Sequence, residues 1–223
     1  FRFNAPDSVT EYVMTGGGTA KWEPGNGTAN KLTLNGVTMN GESYVVGVPA
    51  NTEIILIGTN KITATSANAL CAHNGTLKII GDGSLEVHAP APNITDYAIG
   101  TNIGGNIDID ITGALTVNGN IRANERTLSL RSGDDISVTG SMYGKGNITA
   151  IAGKSLSITN TSNTAVFASS CNEVSLAAQD GDLTVSGAGS GDYGIYGDWN
   201  STALKLHASG NVSVTGTKYS MQG

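Results

Sequence analysis

Ile136-Ser137-Val138-Thr139 repeats the pattern of Leu115-Thr116-Val117-Asn118 before it and of Leu156-Ser157-Ile158-Thr159 after it. Ile136 follows Leu115 by 21 positions, and Leu156 follows Ile136 by 20. The same apolar-x-apolar-polar quartet recurs at 62–65, 85–88, 183–186 and 212–215, which makes seven copies. Alternation with period two puts the apolar pair on one face of a strand and the Ser or Thr on the other. A period near 20 residues is too short for a propeller blade, and a sandwich would not keep one template at a constant offset.

Two further strands accompany each quartet. One lies about eight residues upstream: Ile55-Leu56-Ile57, Leu77-Lys78-Ile79, Ile107-Asp108-Ile109, Leu128-Ser129-Leu130, Ile148-Thr149-Ala150, Val174-Ser175-Leu176 and Leu204-Lys205-Leu206. A glycine-bearing turn separates it from the quartet, at Gly58, Gly81, Gly113, Gly133, Gly153, Gly181 and Gly210. Another lies six to nine residues further upstream and includes Val46-Gly47-Val48, Leu70-Cys71-Ala72, Ile99-Gly100-Thr101, Ile121-Arg122-Ala123, Met142-Tyr143-Gly144, Phe167-Ala168-Ser169 and Ile195-Tyr196-Gly197. A coil of three short strands cannot bury its own apolar residues. Stacked in register, coils satisfy one another's backbone and join their inward Val, Ile and Leu into one column. The expected fold is therefore all-β: a right-handed, single-stranded parallel β-helix of about eight coils, the hand following the rule for parallel crossovers.

Composition agrees. Of 223 residues, 31 are Gly, only 13% are charged and only 5% are aromatic, as suits many short strands and tight turns. Residues 1–30 fit the template poorly and are expected to form an N-terminal cap or irregular first coil, with the β-helix over 31–223 as a single domain. Tyr219-Ser220-Met221-Gln222-Gly223 begins another coil, so the chain is expected to be a fragment or to rest its last coil on another chain. Cys71 and Cys171 fall four coils apart, about 19 Å at the strand spacing, too far for a disulfide, and are expected to be free thiols.

The formal charge of -6, with 12 Lys and Arg spread along the chain, argues against a nucleic-acid partner. No apolar run approaches the length that spans a bilayer, so no membrane insertion is expected.

The connections after 88, 160 and 186 are longer than the others. Insertions in a solenoid collect on one face, which is often the binding face. They are expected to rim the outward side of the strand set that carries Cys71, His73, Asn102, Arg122, Asn124, Tyr143, Lys145, Ser170, Tyr196, Asp198 and Trp199. Aromatic faces stack on pyranose C–H groups while polar neighbours meet hydroxyls. Within the patch the candidate glycan-binding residues are Arg122, Tyr143, Lys145, Tyr196, Asp198 and Trp199.

Catalytic and metal constellations are thin. Asp134-Asp135 falls on a turn, and Asp108 and Asp110 alternate with isoleucines, so both face outward. His73, His88 and His207 fall in three different strand sets, which leaves no metal-ligand cluster. Asp82, Asp134 and Asp182 adjoin equivalent turn glycines and offer at most a weak Ca²⁺ site. No catalytic residue and no other cofactor is expected.

The three-strand coils resemble the pectin-lyase-like right-handed β-helix superfamily over roughly residues 31–223. Coils such as Ser137-Val138-Thr139-Gly140-Ser141 and Asp182-Leu183-Thr184-Val185-Ser186-Gly187 are also similar to those of secreted bacterial adhesins of the filamentous haemagglutinin type. The first resemblance implies an extracellular location and a polysaccharide partner; the second supports a cell-surface location, where the partner would be a host or cell-surface glycan. The superfamily's galacturonase signatures are missing: Asp134-Asp135 stands on another strand, and Asn-Thr-Asp, His-Gly and Arg-x-Lys are absent. The expected function is thus non-catalytic glycan binding or adhesion. A ligand-free adhesin stalk, or a polysaccharide lyase or glycoside hydrolase, is the alternative.

Overall fold

The computed structural model describes residues 6–14, 16–66, 68–90, 96–124, 126–189, 193–197, 203–216 and 219–222. All regular structure among them is β. Three sheets of ten, eight and eight strands run along the molecule. The chain visits them in rotation, as in Ile107–Ile111 in the first, Leu115–Asn118 in the second and Ile121–Ala123 in the third, before Leu128–Ser132 returns to the first. From Asn30–Asn35 onward each strand pairs in parallel with its equivalent one coil away, as Leu115 with Ile136 and Ile136 with Leu156. Eight strands in each shorter sheet make about seven turns of a parallel β-solenoid with three strands per turn.

The core is the column that the repeat implies. Val46, Leu70, Ile99, Ile121, Met142 and Val166 point inward from the third sheet, and Leu85, Leu115, Ile136, Leu156 and Leu183 from the second, all buried. Each such side chain stabilises the stack by about 1.5–3 kcal/mol relative to exposure.

In two strands the inward residues differ from the expectation by one position. In the strand Thr52–Ile57 they are Thr52, Ile54 and Leu56, so Leu56 rather than Ile55 and Ile57 enters the core, and Ile57 is 47% exposed. In Val166–Ala168 the inward residues are Val166, paired with Met142, and Ala168, and Phe167 faces out beside Tyr143. Both errors arise in unbroken apolar runs, Ile54-Ile55-Leu56-Ile57 and Ala165-Val166-Phe167-Ala168, where no polar residue marks the outward face. A one-residue slip there reverses every side chain.

Asn60 is the polar member of an inward row, opposite Leu85 and fully buried. Its Oδ1 accepts from Val37 N at 3.2 Å, and its Nδ2 donates to the carbonyls of Ile57, Gly58 and Ser84 at 3.1, 3.3 and 3.4 Å. One amide thus serves three coils at a corner of the solenoid.

Before the first coil the direction of pairing changes. Strand β1 (Thr10–Val13) pairs antiparallel with β2 (Thr19–Glu23), which pairs antiparallel with β3 (Asn30–Asn35), the first strand of the parallel stack. Met14, Ala20 and Trp22 join the hydrophobic core here. Trp22 is 2% exposed and donates its indole N–H to Pro6 O at 2.7 Å. At the other terminus Tyr219–Gln222 pairs with Tyr193–Gly197.

Candidate functional site

The third sheet carries the predicted patch. Its short strands expose one residue per coil, and in-register stacking places those residues one above the next at the strand spacing of about 4.8 Å. Arg122, Tyr143, Phe167 and Tyr196 occupy successive places in this outward row. The Arg122 guanidinium lies 4.8 Å from the centroid of the Tyr143 ring. Tyr143 stacks on Phe167 with centroids 5.4 Å apart and planes 18° from parallel, and Phe167 stacks on Tyr196 at 4.9 Å and 21°. Tyr193 adds a tilted ring 5.3 Å from Tyr196.

Of the six predicted residues, Arg122, Tyr143 and Tyr196 are brought together in this ladder. Lys145 stands half-buried just beyond the same strand as Tyr143. Asp198 and Trp199 lie outside the described residues. Phe167, which simple alternation through Phe167-Ala168-Ser169 would place inward, is the ring that joins the two tyrosines. The signal that finds it is the run Ala165-Val166-Phe167-Ala168, in which the two small alanines and Val166 suit a narrow core and Phe167 does not.

The row continues past Arg122 in altered form. Next come Gly100, Cys71 and Gly47. Gly100 leaves a space, and the ring of Tyr97 fills it. Tyr97 is 6% exposed, and burial pushes its phenol well above its ordinary pKa. Its hydroxyl donates to Asn102 Oδ1, while Asn102 Nδ2 donates to His73 Nδ1 at 2.8 Å. His73 stacks on Tyr44 with centroids 6.0 Å apart, and Asn68 ties the set together by donating to the Tyr44 hydroxyl and accepting from Tyr97 N.

Cys71, expected on the exposed face, does occupy an outward position but is fully buried. His73 Nε2 lies 3.9 Å from its sulfur, and the Tyr97 ring roofs the adjoining Gly100. Alternation predicts which way a side chain points; it does not predict that a neighbouring ring folds over it. Cys171 is also buried and in no disulfide; its thiol donates to Glu173 O at 2.9 Å, and desolvation raises its pKa.

The carboxylates behave as surface and turn residues. Asp134 Oδ1 accepts from Asp135 N at 2.9 Å and meets Lys154 Nζ at 2.9 Å, which holds its carboxyl below the ordinary value. Asp135 Oδ1 accepts from Ser155 N one coil on, at 2.9 Å. Asp108 and Asp110 face outward, in register with Lys78 and Arg131. Asp182 Oδ1 accepts from Asn211 N at 2.7 Å. Among the described residues no group of three or more His, Cys, Asp or Glu is placed to hold a metal ion.

The longer connections after 88 and 160 wall the corner where second-sheet strands turn into the third sheet, rather than the middle of the aromatic row. No family model matches this chain, and neither the curated proteins nor the solved structures contain a match to it.

Proposed function

We propose that this chain is a non-catalytic, glycan-binding β-solenoid of a secreted or cell-surface protein, and that the third-sheet ladder is its docking strip. The observation that carries the reading is the unbroken row Arg122–Tyr143–Phe167–Tyr196, half-exposed and aligned with the long axis. Because the rings stack on one another, they offer edges and phenol hydroxyls to a ligand rather than open faces. Edge contacts are individually weak and repeat every coil, which suits a long polymer bound by many modest contacts. The three-strand coil pattern supports this reading by its resemblance to pectin-lyase-like and adhesin solenoids. The turn placement of Asp134 and Asp135 speaks against the hydrolytic members of that group.

A second reading is favoured by the stacking itself. Phe167 has a ring on each side, so the ladder also serves to fasten coils to each other, as a ligand-free stalk would require. A binding screen against immobilised polysaccharides, with and without Ca²⁺, separates the two. The glycan reading expects retention of wild type on at least one polysaccharide and weaker retention there of Tyr143→Ala/Tyr196→Ala. Absence of retention on every polysaccharide leaves the stalk.

A further inference from the structure

Two coils with tight corners lie between two coils with long ones, and this leaves a trough of about 410 Å³ in the surface. Ala89 and Pro90 form one wall and Thr161, Ser162 and Asn163 the other. The floor is the outward end of the second sheet, where His88, Asn118, Thr139 and Thr159 stand in register on successive coils. The corners between the walls are tight because of Gly119 and Gly140. Both have positive φ, and a Cβ would fall 2.4 Å from Ala89 O at Gly119 and 2.3 Å from Gly119 O at Gly140.

The polar groups at this corner divide into two kinds. Asn120 and Asn160 are nearly buried and spent on the protein. Asn120 Oδ1 accepts from Ser141 N, and its Nδ2 donates to Asp96 O, both at 2.9 Å. Asn160 Oδ1 accepts from Ser162 N and Asn163 N, at 2.8 and 2.9 Å, and its Nδ2 donates to Ser141 Oγ at 2.8 Å. These bonds hold the second wall in place before any ligand arrives. The side chains of His88, Asn118, Thr139 and Thr159, by contrast, make no hydrogen bond to any described residue and face the trough. Among the described residues no Asp, Glu, Lys or Arg lines it.

The geometry points to a binding site in this trough for an uncharged, polyhydroxylated ligand, a segment of a neutral oligosaccharide lying along the solenoid axis. Amides and hydroxyls donate and accept together, as vicinal sugar hydroxyls require. A charged sugar would meet no Asp, Glu, Lys or Arg side chain among the described lining residues. Pro90, exposed on its wall, offers apolar surface to the C–H groups of a ring, and the volume lies within the range of small-ligand sites. The rise of about 4.8 Å per coil is close to the advance of an extended polysaccharide per pyranose ring, so successive coils can meet successive sugars. The site shares no residue with the aromatic ladder and does not depend on it.

The test is an NMR titration of ¹⁵N-labelled protein with cello-, xylo-, manno-, malto- and laminari-hexaose at up to millimolar concentration, with hexagalacturonate as the charged comparison. At least one neutral hexaose is expected to shift the amides of 88–90, 118–120, 139–140 and 159–163. Asn118→Ala and the trough-filling Thr139→Trp are expected to weaken that binding at least tenfold, while Asp110→Asn, outward on the first sheet, leaves it within twofold. Both trough positions face outward, and circular dichroism of the apo variants verifies that they fold. No shift with any neutral hexaose, tighter binding of hexagalacturonate, or shifts confined to the ladder strands would each overturn the assignment. Ladder-only shifts would at the same time support the ladder as the glycan site.

Discussion

The ring of Tyr97 lies with its face against Gly100: a Cβ at Gly100 would fall 2.4 Å from Tyr97 Cδ2 and 2.6 Å from Cγ and Cε2. Gly100 stands in the outward row that Arg122 and the tyrosines continue, so the missing side chain is what admits the ring. Tyr97 is 6% exposed and anchored through its hydroxyl and its backbone N–H, which leaves it little room to yield. Gly100→Ala is therefore expected to cost about 1–3 kcal/mol, the usual cost of overpacking, read as a lower urea midpoint at unchanged slope. An unchanged midpoint would mean that Tyr97 swings away freely.

Phe167 joins two tyrosines, and each aromatic pair contributes about 0.5–1.5 kcal/mol beyond area burial. Phe167→Ala is expected to lose about 1–3 kcal/mol, and Phe167→Tyr, which keeps both stacks, to stay within about 0.5 kcal/mol. Urea unfolding of the pair checks this. Equal losses in the two variants would show that the stacks contribute nothing.

Asn60 lies in a core row where the next coil has Leu85, and it carries four hydrogen bonds. Removing it strands Val37 N–H and nearby carbonyls, at about 2–3 kcal/mol. Asn60→Leu restores the row's apolar character without restoring the bonds, so it too is expected to destabilise. A Leu variant as stable as wild type would show that the amide is dispensable.

Both thiols are buried, and burial raises that of Cys171. A thiolate is the reactive form, so neither is expected to react readily with Ellman's reagent in the native protein at pH 8, while two equivalents react at once in denaturant. Rapid native reaction of one equivalent would show that a thiol is reachable through local opening.

The Asp134–Lys154 pair sets a pH dependence with a definite sign. Asp134 is held below its ordinary value of 3.8, chiefly by the Lys154 hydrogen bond, and Lys154 is raised above 10.5, chiefly by the Asp134 hydrogen bond. The carboxylate's contribution is present above 3.8 and lost as pH falls through its lowered folded pKa. The ammonium's is present below 10.5 and lost as pH rises through its raised folded pKa. Asp134→Asn is therefore expected to reduce stability by a small amount near neutrality, with the difference vanishing in acid and in strong alkali. Solvent screens a pair this exposed, so thermal melts across the pH range need close temperature resolution. A difference that grows in acid would contradict the pairing.

The corner amides show why part of the trough stayed hidden in the sequence. Asn118, Asn120 and Asn160 are alike there, three asparagines near turns. In the folded chain Asn120 and Asn160 are consumed by Ser141, Ser162, Asn163 and Asp96, and Asn118 is left facing out. Which amide is spent depends on what the neighbouring coil brings within 3 Å. The lengths of these connections were legible, but not that Pro90 and Thr161–Asn163 border this corner.

The sequence by itself determined the three-strand coil, its parallel stacking and most of the inward column, because a period-two pattern repeated every 20 or so residues admits few other ways to bury its Val, Ile and Leu. It also determined that Arg122, Tyr143 and Tyr196 share one face. The tertiary structure decided the register within the apolar runs around Ile55 and Phe167, where no polar residue marks the outward face. It alone decided that Cys71 is buried, that Asn60 belongs in the core, and that the rings stack face to face. Those outcomes depend on contacts between residues 20 to 30 positions apart, and alternation along one strand is silent about what the next coil places beside it.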